Sequence, residues 1–487
     1  MYHSNDTYCV KFKRETEKGG GMGIWMEWWT WAGKLRRSCK RERTFMWLLV
    51  AMIGFSIRDD MLGVSSFIRC MGLHGLYYDR LLDFFHSPSL CVTELARIWT
   101  SLVLENHAGI IRCEGRPILV CDGIKIGKSG KKMPGVKLLH QESDSNTKPE
   151  YIMGHSCQAV CVLVGCLASV IALPLAARIH EGVVFSNRDG RTTLDKMVLL
   201  LFELGIKGEF ILLADAYYAS RKVILPLLGR GCHLISRVKS NAVAYHPPPP
   251  AGKAGPGRKR IYGRKEKLSG MFDNPGGMTE ATSPIYGEKG IPIRYRSDKM
   301  LWRPIGVMVL FVAAIHPTRG RCLLVCTDIE MSPMEIIRLY GLRFKIEVSF
   351  KQSIHTIGAY LYHFWMATMT PLGRCNGDQY MHLKSEEYRK AVRRKIDAYH
   401  RFMQVGIVAQ GIMVAISTTV PHTVWRSFGS WLRTIRPDMC PSEMVVATAL
   451  KNTFPEFLLG KDSVPTLTQF ILSRTDFSRK NISKMAA

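Results

Sequence analysis

Apolar residues recur at helical spacing through the first 110 positions, and the period then changes. Met46–Ile57, Leu81–Phe85 and Val92–Leu104 are apolar or amphipathic runs of helical length, broken by Ser87-Pro88. An aromatic opening (Trp25, Trp28, Trp29, Trp31) and a basic run, Lys34–Arg43, come before them. Residues 1–110 therefore read as a helical N-terminal region. Its basic flanks suit DNA binding, and a plain packing role is the equal alternative. From 111 to 240 strands and helices alternate. Pro117–Cys121 is a short apolar strand ending at Asp122, and Phe210–Ala214 is another ending at Asp215. Helices are expected at Thr193–Leu204 and Ser220–Leu228, and a further strand at His233–Ser236. Such alternation predicts an α/β core with parallel pairing.

The polar stretch Gly127–Lys148 reads as a loop or hairpin. Cys157–Ala177 is long enough to cross a bilayer, but it is rich in β-branched residues and interrupted at Gly165 and Pro174. It predicts two buried strands joined near Gly165, with no membrane role. Residues 241–327 break the alternation. Pro247–Pro250 followed by Ala-Gly-Lys-Ala-Gly-Pro-Gly cannot be regular structure, Lys253–Lys267 reads as a basic, mobile loop, and the short strands Ile291–Tyr295, Ile305–Ala313 and Cys322–Thr327 follow. This is a mostly β insertion. Ser332-Pro333-Met334-Glu335 has the pattern of a capping box with proline at the first helical position, so a long helix is expected next. The organisation is then 1–110 N-terminal region, 111–240 first part of the core, 241–327 insertion, 328–375 second part of the core, and 376–487 a helical C-terminal region.

Charge changes the picture. The 487 residues carry 67 Lys and Arg against 40 Asp and Glu, a formal net of +27. That surplus points to a polyanionic partner, because each phosphate contact releases condensed counterions. The 14 cysteines form no CxxC pair, which argues against a zinc or disulfide framework. Several lie inside apolar runs as small hydrophobes, as suits a reducing compartment, and the first residues do not resemble a signal peptide.

Asp122 and Asp215 are the candidate chemistry. Both are expected at the carboxyl ends of buried strands, where ligands bind in α/β sheets, and an acid there is costly to bury without a cation. Each alone also reads as a residue capping the following turn. On the expected helix, Tyr340, Arg343, Glu347 and Lys351 fall on one face at about 100° per residue. Glu347 can complete a metal site with the two aspartates, while Arg343 and Lys351 suit phosphates. A solvated polar stripe with a Glu347–Lys351 pair is the alternative.

The segment Leu339-Tyr340-Gly341-Leu342-Arg343-Phe344-Lys345-Ile346-Glu347 resembles the Y-x2-R-x3-E signature of DDE transposases from bacterial insertion sequences. Asp122-Gly123-Ile124-Lys125 and Asp215-Ala216-Tyr217-Tyr218-Ala219-Ser220 are similar to the two aspartate motifs of that family. Thr327-Asp328 before the helix and Tyr362-His363-Phe364-Trp365-Met366 after it also fit, so the resemblance covers about residues 115–370. The family pattern continues E-x6-K, and here Ile354 stands at that position, with Lys351 one turn nearer.

The resemblance implies an α/β, ribonuclease-H-like catalytic core interrupted by the β insertion, with helical N- and C-terminal regions. It implies two Mg²⁺ ions (Mn²⁺ as a substitute) held by Asp122, Asp215 and Glu347. DNA contacts are implied for Tyr340, Arg343, Lys351 and Lys125, together with Trp302, the one Trp between Asp215 and Glu347. For Trp302 the plainer reading is a core aromatic. The implied partners are double-stranded DNA, as terminal inverted repeats and target, and a second copy in the DNA complex. The implied setting is the bacterial cytoplasm. Two rivals share these residues: a ribonuclease-H-like nuclease that does not join strands, and a DNA-binding protein with an inactive site.

Overall fold

The structure is a computed structural model. It describes residues 23–478 apart from 142–148, 240, 250–259, 274, 374, 432–433 and 461–463. The beginning of the chain, the tip of the polar loop and most of the Pro- and Lys-rich stretch lie outside the described residues.

A single mixed sheet organises the molecule. Its centre is built from β1 (Arg116–Gly127), β2 (Tyr151–Cys166), β3 (Ser169–Ile179), β4 (Ile211–Ala214) and β5 (His233–Arg237). Their spatial order is β3–β2–β1–β4–β5. β1, β4 and β5 run parallel, whereas β2 runs antiparallel to both β1 and β3. The β2–β3 hairpin turns at Leu167, with φ 52°, two residues beyond the expected Gly165. Ile118-Leu119-Val120-Cys121 and Ile211-Leu212-Leu213-Ala214 are buried throughout, as parallel strands covered on both faces require.

The strands of the 241–327 segment do not form a sheet of their own. β6 (Pro292–Trp302), β7 (Val307–His316) and β8 (Gly320–Cys326) form an antiparallel meander, and β8 pairs with β5 (Val325 opposite Ser236). The insertion is thus a lateral continuation of the central sheet, thirteen strands in all among the described residues.

Helices cover the sheet. They include α1 (Glu42–Ile57), α2 (Val92–Asn106), α3 (Thr193–Glu203), α4 (Pro333–Tyr340), α5 (Lys345–Gln352), α6 (Glu386–Thr419) and α7 (Glu443–Leu459). By length and composition α6 could cross a membrane, yet 94% of its apolar window is buried inside the protein, against β3 and α1. Gln404 on α6 donates to the Leu175 carbonyl at 2.9 Å, and Trp99 on α2 donates to the Pro174 carbonyl at 3.0 Å. Both bonds satisfy β3 carbonyls near the irregularity in β2–β3 pairing that Pro174 adjoins.

Two local expectations fail. The long helix is broken: α4 ends at Tyr340, residues 341–344 form turns, and α5 begins at Lys345. The capping box at Ser332 does not form either. Ser332 makes no side-chain cap, and Glu335 is taken by Arg338 at 2.5 Å. A true capping box closes α3 instead, between Thr192 and Asp195.

Gly411 on α6 marks the tightest contact in this packing, because a Cβ there would overlap the Trp99 ring. Gly411→Ala is expected to lower stability by about 1–3 kcal/mol despite alanine's better helix propensity, measured by urea unfolding. An unchanged midpoint would show that Trp99 yields freely.

Candidate active site

β1 is longer than the alternation predicts, and this decides where Asp122 stands. The strand does not end at Asp122; it runs on to Gly127, held by β2 through the Gly127–Gly154 pair. Its parallel partner β4 pairs only as far as Val120–Leu213. Asp122 therefore sits just past the point where one neighbour stops, with its side chain 18% exposed. One carboxylate oxygen accepts the Gly123 amide at 2.7 Å, and the other accepts Arg343 Nη1 at 3.1 Å.

Asp215 follows the last residue of β4 and caps a short 3₁₀ turn, Ala216–Tyr218, by accepting the Tyr217 amide at 2.9 Å. The Ser236 hydroxyl on β5 donates to its backbone carbonyl at 2.6 Å. The capping role weighed from the sequence is thus present, and the charge of Asp215 is also felt at Asp122. Burial, and then the negative charge of Asp215, push the Asp122 carboxyl up from the ordinary 3.8 to about 6, while the Gly123 amide and Arg343 act against the rise.

Glu347 lies in the first turn of α5 with its side chain 56% exposed. It pairs with Arg343 Nη2 at 2.8 Å, not with Lys351. Arg343, in the turn before α5, thus spans Asp122 and Glu347 with the two arms of one guanidinium, a fork geometry suited to two carboxylates. Among the described residues no three His, Cys, Asp or Glu side chains converge closely enough to form a ready metal cluster. Two of the three acids, Asp122 and Glu347, share an arginine, and Asp215 lies close enough to Asp122 for its charge to be felt there.

Tyr340 closes α4 beside them. Burial pushes its hydroxyl up to about 12, against the pull of Arg343 and Arg237. With Arg237, Arg321, Arg343 and Phe344 it lines a cavity of about 320 Å³. Arg237 was not singled out from the sequence, although it ends the apolar strand beside Asp215, the position where ligand-facing groups collect in parallel sheets.

Other expected residues are placed differently. Lys125 is exposed, and its ammonium reaches over β2 to donate to the His140 carbonyl on the strand beyond it, Lys137–His140. Lys128, three residues further on, turns inward: its Nζ lies 3.7 Å from the Tyr362 ring centroid and bonds the Tyr360 carbonyl. Burial pushes that amine down to about 7. Lys351 is exposed, one turn past Glu347. The helix then relaxes into a π turn, Ser353–Ile357, in which Ile354 packs on the core and His355 is exposed. Trp302 is 6% exposed and stands edge-on to Phe311, as the plainer reading expects. It also lines a cavity of about 610 Å³ with Ala216, Ala219, Tyr245 and Arg303, directly behind the Asp215 turn. His155 is a structural histidine, bonded to the Tyr362 hydroxyl at 2.6 Å and the Pro134 carbonyl at 2.9 Å.

Asp122 gives a pH prediction. Its folded-state pKa, about 6, lies above the ordinary 3.8, so the ionised form opposes folding. The stability attributable to Asp122 is fully present below about pH 4 and is lost as the pH rises through about 6. In chelator at pH 7.5, Asp122→Asn is expected to stabilise the protein by about 1–3 kcal/mol, with the gain vanishing below pH 4. Thermal unfolding across that range checks it, and a constant difference would refute it.

Three comparisons bear on identity. No curated protein matches the chain. Among solved structures, one matching chain comes from a cryo-EM structure of a piggyBac transposase synaptic complex with hairpin DNA; it is 11% identical, the match covers 94% of this chain and 86% of that one, and the TM-score is 0.35. A model of the DDE superfamily endonuclease family matches residues 39–288, which hold α1, β1 to β5 and both aspartates. That match takes in a little over half of the sequence, and the chain belongs to the DDE superfamily endonucleases.

Proposed function

We propose that this endonuclease is a DNA transposase of the bacterial insertion-sequence type, which cleaves element ends and joins the freed 3′-OH to target DNA. The observation that carries the reading is the Arg343 guanidinium spanning Asp122 and Glu347, with Asp215 close enough to raise the Asp122 carboxyl, in the order Asp, Asp, Y-x2-R-x3-E, within a chain of this family. The strand order β3–β2–β1–β4–β5, with β2 alone antiparallel, supports a ribonuclease-H-like core. Residues 328–375 would complete that core, and the helical segments before 110 and after 376 would flank it.

The donor set fits a divalent cation. All three side chains are carboxylates, hard oxygen donors of the kind Mg²⁺ prefers. Burial first, and the charge of Asp215 second, hold the Asp122 carboxyl high, and a bound cation would offset both. Asp122, Asp215 and Glu347 would hold two Mg²⁺ or Mn²⁺ ions, which when bound supply an activated oxygen nucleophile and stabilise the leaving 3′ oxygen.

The residues of the chain do the rest. Arg343, released from its two carboxylates, presents a fork to a phosphate. Tyr340 and Arg237 extend that contact along the 320 Å³ cavity. Trp302 and Tyr245 offer aromatic walls to a base displaced beside Asp215. Lys351 and Lys125 lie further along the DNA path. The +27 charge suits a duplex partner, and handling two ends together calls for a dimer in the DNA complex.

The test is a Mg²⁺-dependent cleavage and strand-transfer assay on a plasmid carrying the DNA that flanks this gene. Glu347→Gln is expected to lower both nicking and joining by at least about 100-fold while DNA binding is kept. Nicking without joined product would favour a simple nuclease. Activity that survives Glu347→Gln would remove Glu347 from the metal site.

A further inference from the structure

The β1–β4 ladder ends at Val120–Leu213, two residues short of each aspartate. Past that point the two strands share no ladder bond among the described residues. Asp122 and Asp215 repel each other when both are ionised, so their spacing has to be held by other means.

The Tyr218 side chain crosses the gap. Tyr218 belongs to the 3₁₀ turn that follows Asp215, and its amide donates to the Asp215 carbonyl at 3.1 Å. Its hydroxyl lies on the far face of β1. Asp122 and Gly123 are successive strand residues and point to opposite faces. Asp122 turns to Arg343, whereas a Cβ placed on Gly123 would meet the Tyr218 hydroxyl at 3.8 Å. Gly123 is the residue whose amide holds the Asp122 carboxylate at 2.7 Å. The Tyr218 hydroxyl then accepts the side-chain amide of Gln158 on β2 at 3.0 Å, and Gln158 is the register partner of Gly123. The Gln158 amide oxygen accepts His180 Nδ1 just after β3, and the His180 carbonyl accepts Lys196 Nζ from α3 at 2.6 Å. Tyr218 and Gln158 are 2% and 4% exposed. Hydrogen bonds buried to this degree are costly to leave unmade, so the chain of contacts keeps its length. It runs from the Asp215 turn under the strand of Asp122 to the strands beyond.

We propose that Tyr218 is a positioning residue of the active site, a strut seated on Gln158 that sets the spacing of Asp122 and Asp215 for a pair of divalent cations. It touches neither substrate nor cation. The inference rests on the reading of Asp122, Asp215 and Glu347 as the cation site. Two ions in such a site sit about 3.5–4 Å apart, so a small change in the spacing of the acids appears directly as lost affinity. A tyrosine that only filled the core would contribute stability and nothing more.

The experiment is titration of the full chain with Mn²⁺, followed by the electron paramagnetic resonance signal of the free ion, with thermal unfolding in chelator beside it. Tyr218→Phe keeps the ring and removes the hydroxyl. It is expected to weaken Mn²⁺ binding by about 10-fold, as the loss of a residue behind a metal ligand does. Gln158→Met is expected to do the same, and the double variant to be no weaker than either single one, because both cut one strut. Gln158→Met carries the test if Tyr218→Phe fails to fold. Tyr399→Phe is the control. Its hydroxyl is also buried and donates to the Phe364 carbonyl at 2.7 Å, among His155 and Tyr362. It is expected to lower the thermal midpoint as Tyr218→Phe does and to leave Mn²⁺ binding unchanged. Mn²⁺ binding that is absent from the wild type, or untouched by Asp122→Asn, would overturn the metal-site reading and the strut with it. Binding that needs Asp122 yet is unaltered in Tyr218→Phe and Gln158→Met, or is weakened equally by Tyr399→Phe, would overturn the strut alone.

Discussion

Ionising Asp122 a short way from Asp215 is unfavourable, and the arrangement of the cleft answers that constraint. The backbone ladder leaves the two carboxylates little room to separate: β1 and β4 are parallel neighbours through Val120–Leu213, and the acids follow immediately. What can adjust is the company they keep. Arg343 spans Asp122 and Glu347, the Gly123 amide turns onto Asp122, and the Tyr217 amide turns onto Asp215. The break between α4 and α5 belongs to the same solution. An unbroken helix would carry Arg343 along a straight face, whereas the turn at 341–344 places it between two acids on different elements.

α5 is held from behind by a buried polar node. Gln410 on α6 donates to the Ser349 carbonyl at 3.1 Å and to Glu443 at the start of α7 at 3.3 Å, and it accepts the Ser353 hydroxyl. The helix that carries Glu347 is thereby fixed to the C-terminal helices by directional bonds and not by packing alone. A fully connected buried network rigidifies what it joins, and an incomplete one is expensive. The π turn at Ser353 accommodates this node, turning Ser353 inward to Gln410 and leaving His355 outside.

Much of the core was legible in the amino-acid pattern, because parallel strands buried on both faces read as unbroken apolar runs. Ile118–Cys121 and Ile211–Ala214 read in that way, and so does the β2–β3 hairpin, although its turn falls at Leu167 and Gly165 stays within the paired strand. What stayed hidden depended on partners remote in sequence. The second half of β1 exists because β2 pairs with it, and its own Gly-Ile-Lys-Ile-Gly gives little strand signal. Lys128 looks like one more surface lysine until Tyr362, far along the chain, supplies a ring for its ammonium. Glu335 fits a capping box by spacing, but Arg338 one turn away competes for its carboxylate and wins. Arg178 and Arg401 could not be told from the other basic residues, since their burial is set by the packing of α6 on β3.

The overhang of β1 has a consequence beyond placing one carboxylate. Past Val120 the strand has a ladder on one side only, so from Gly123 to Gly127 the edge facing away from β2 presents main-chain groups that no neighbouring strand satisfies among the described residues. Such an edge is a template on which another extended segment can add itself, including the same segment of a second copy. Lys125 sits in the middle of this stretch and is exposed. Its ammonium reaches over β2 to the His140 carbonyl, so the lysine is tied to the paired side of the strand and not to the open one.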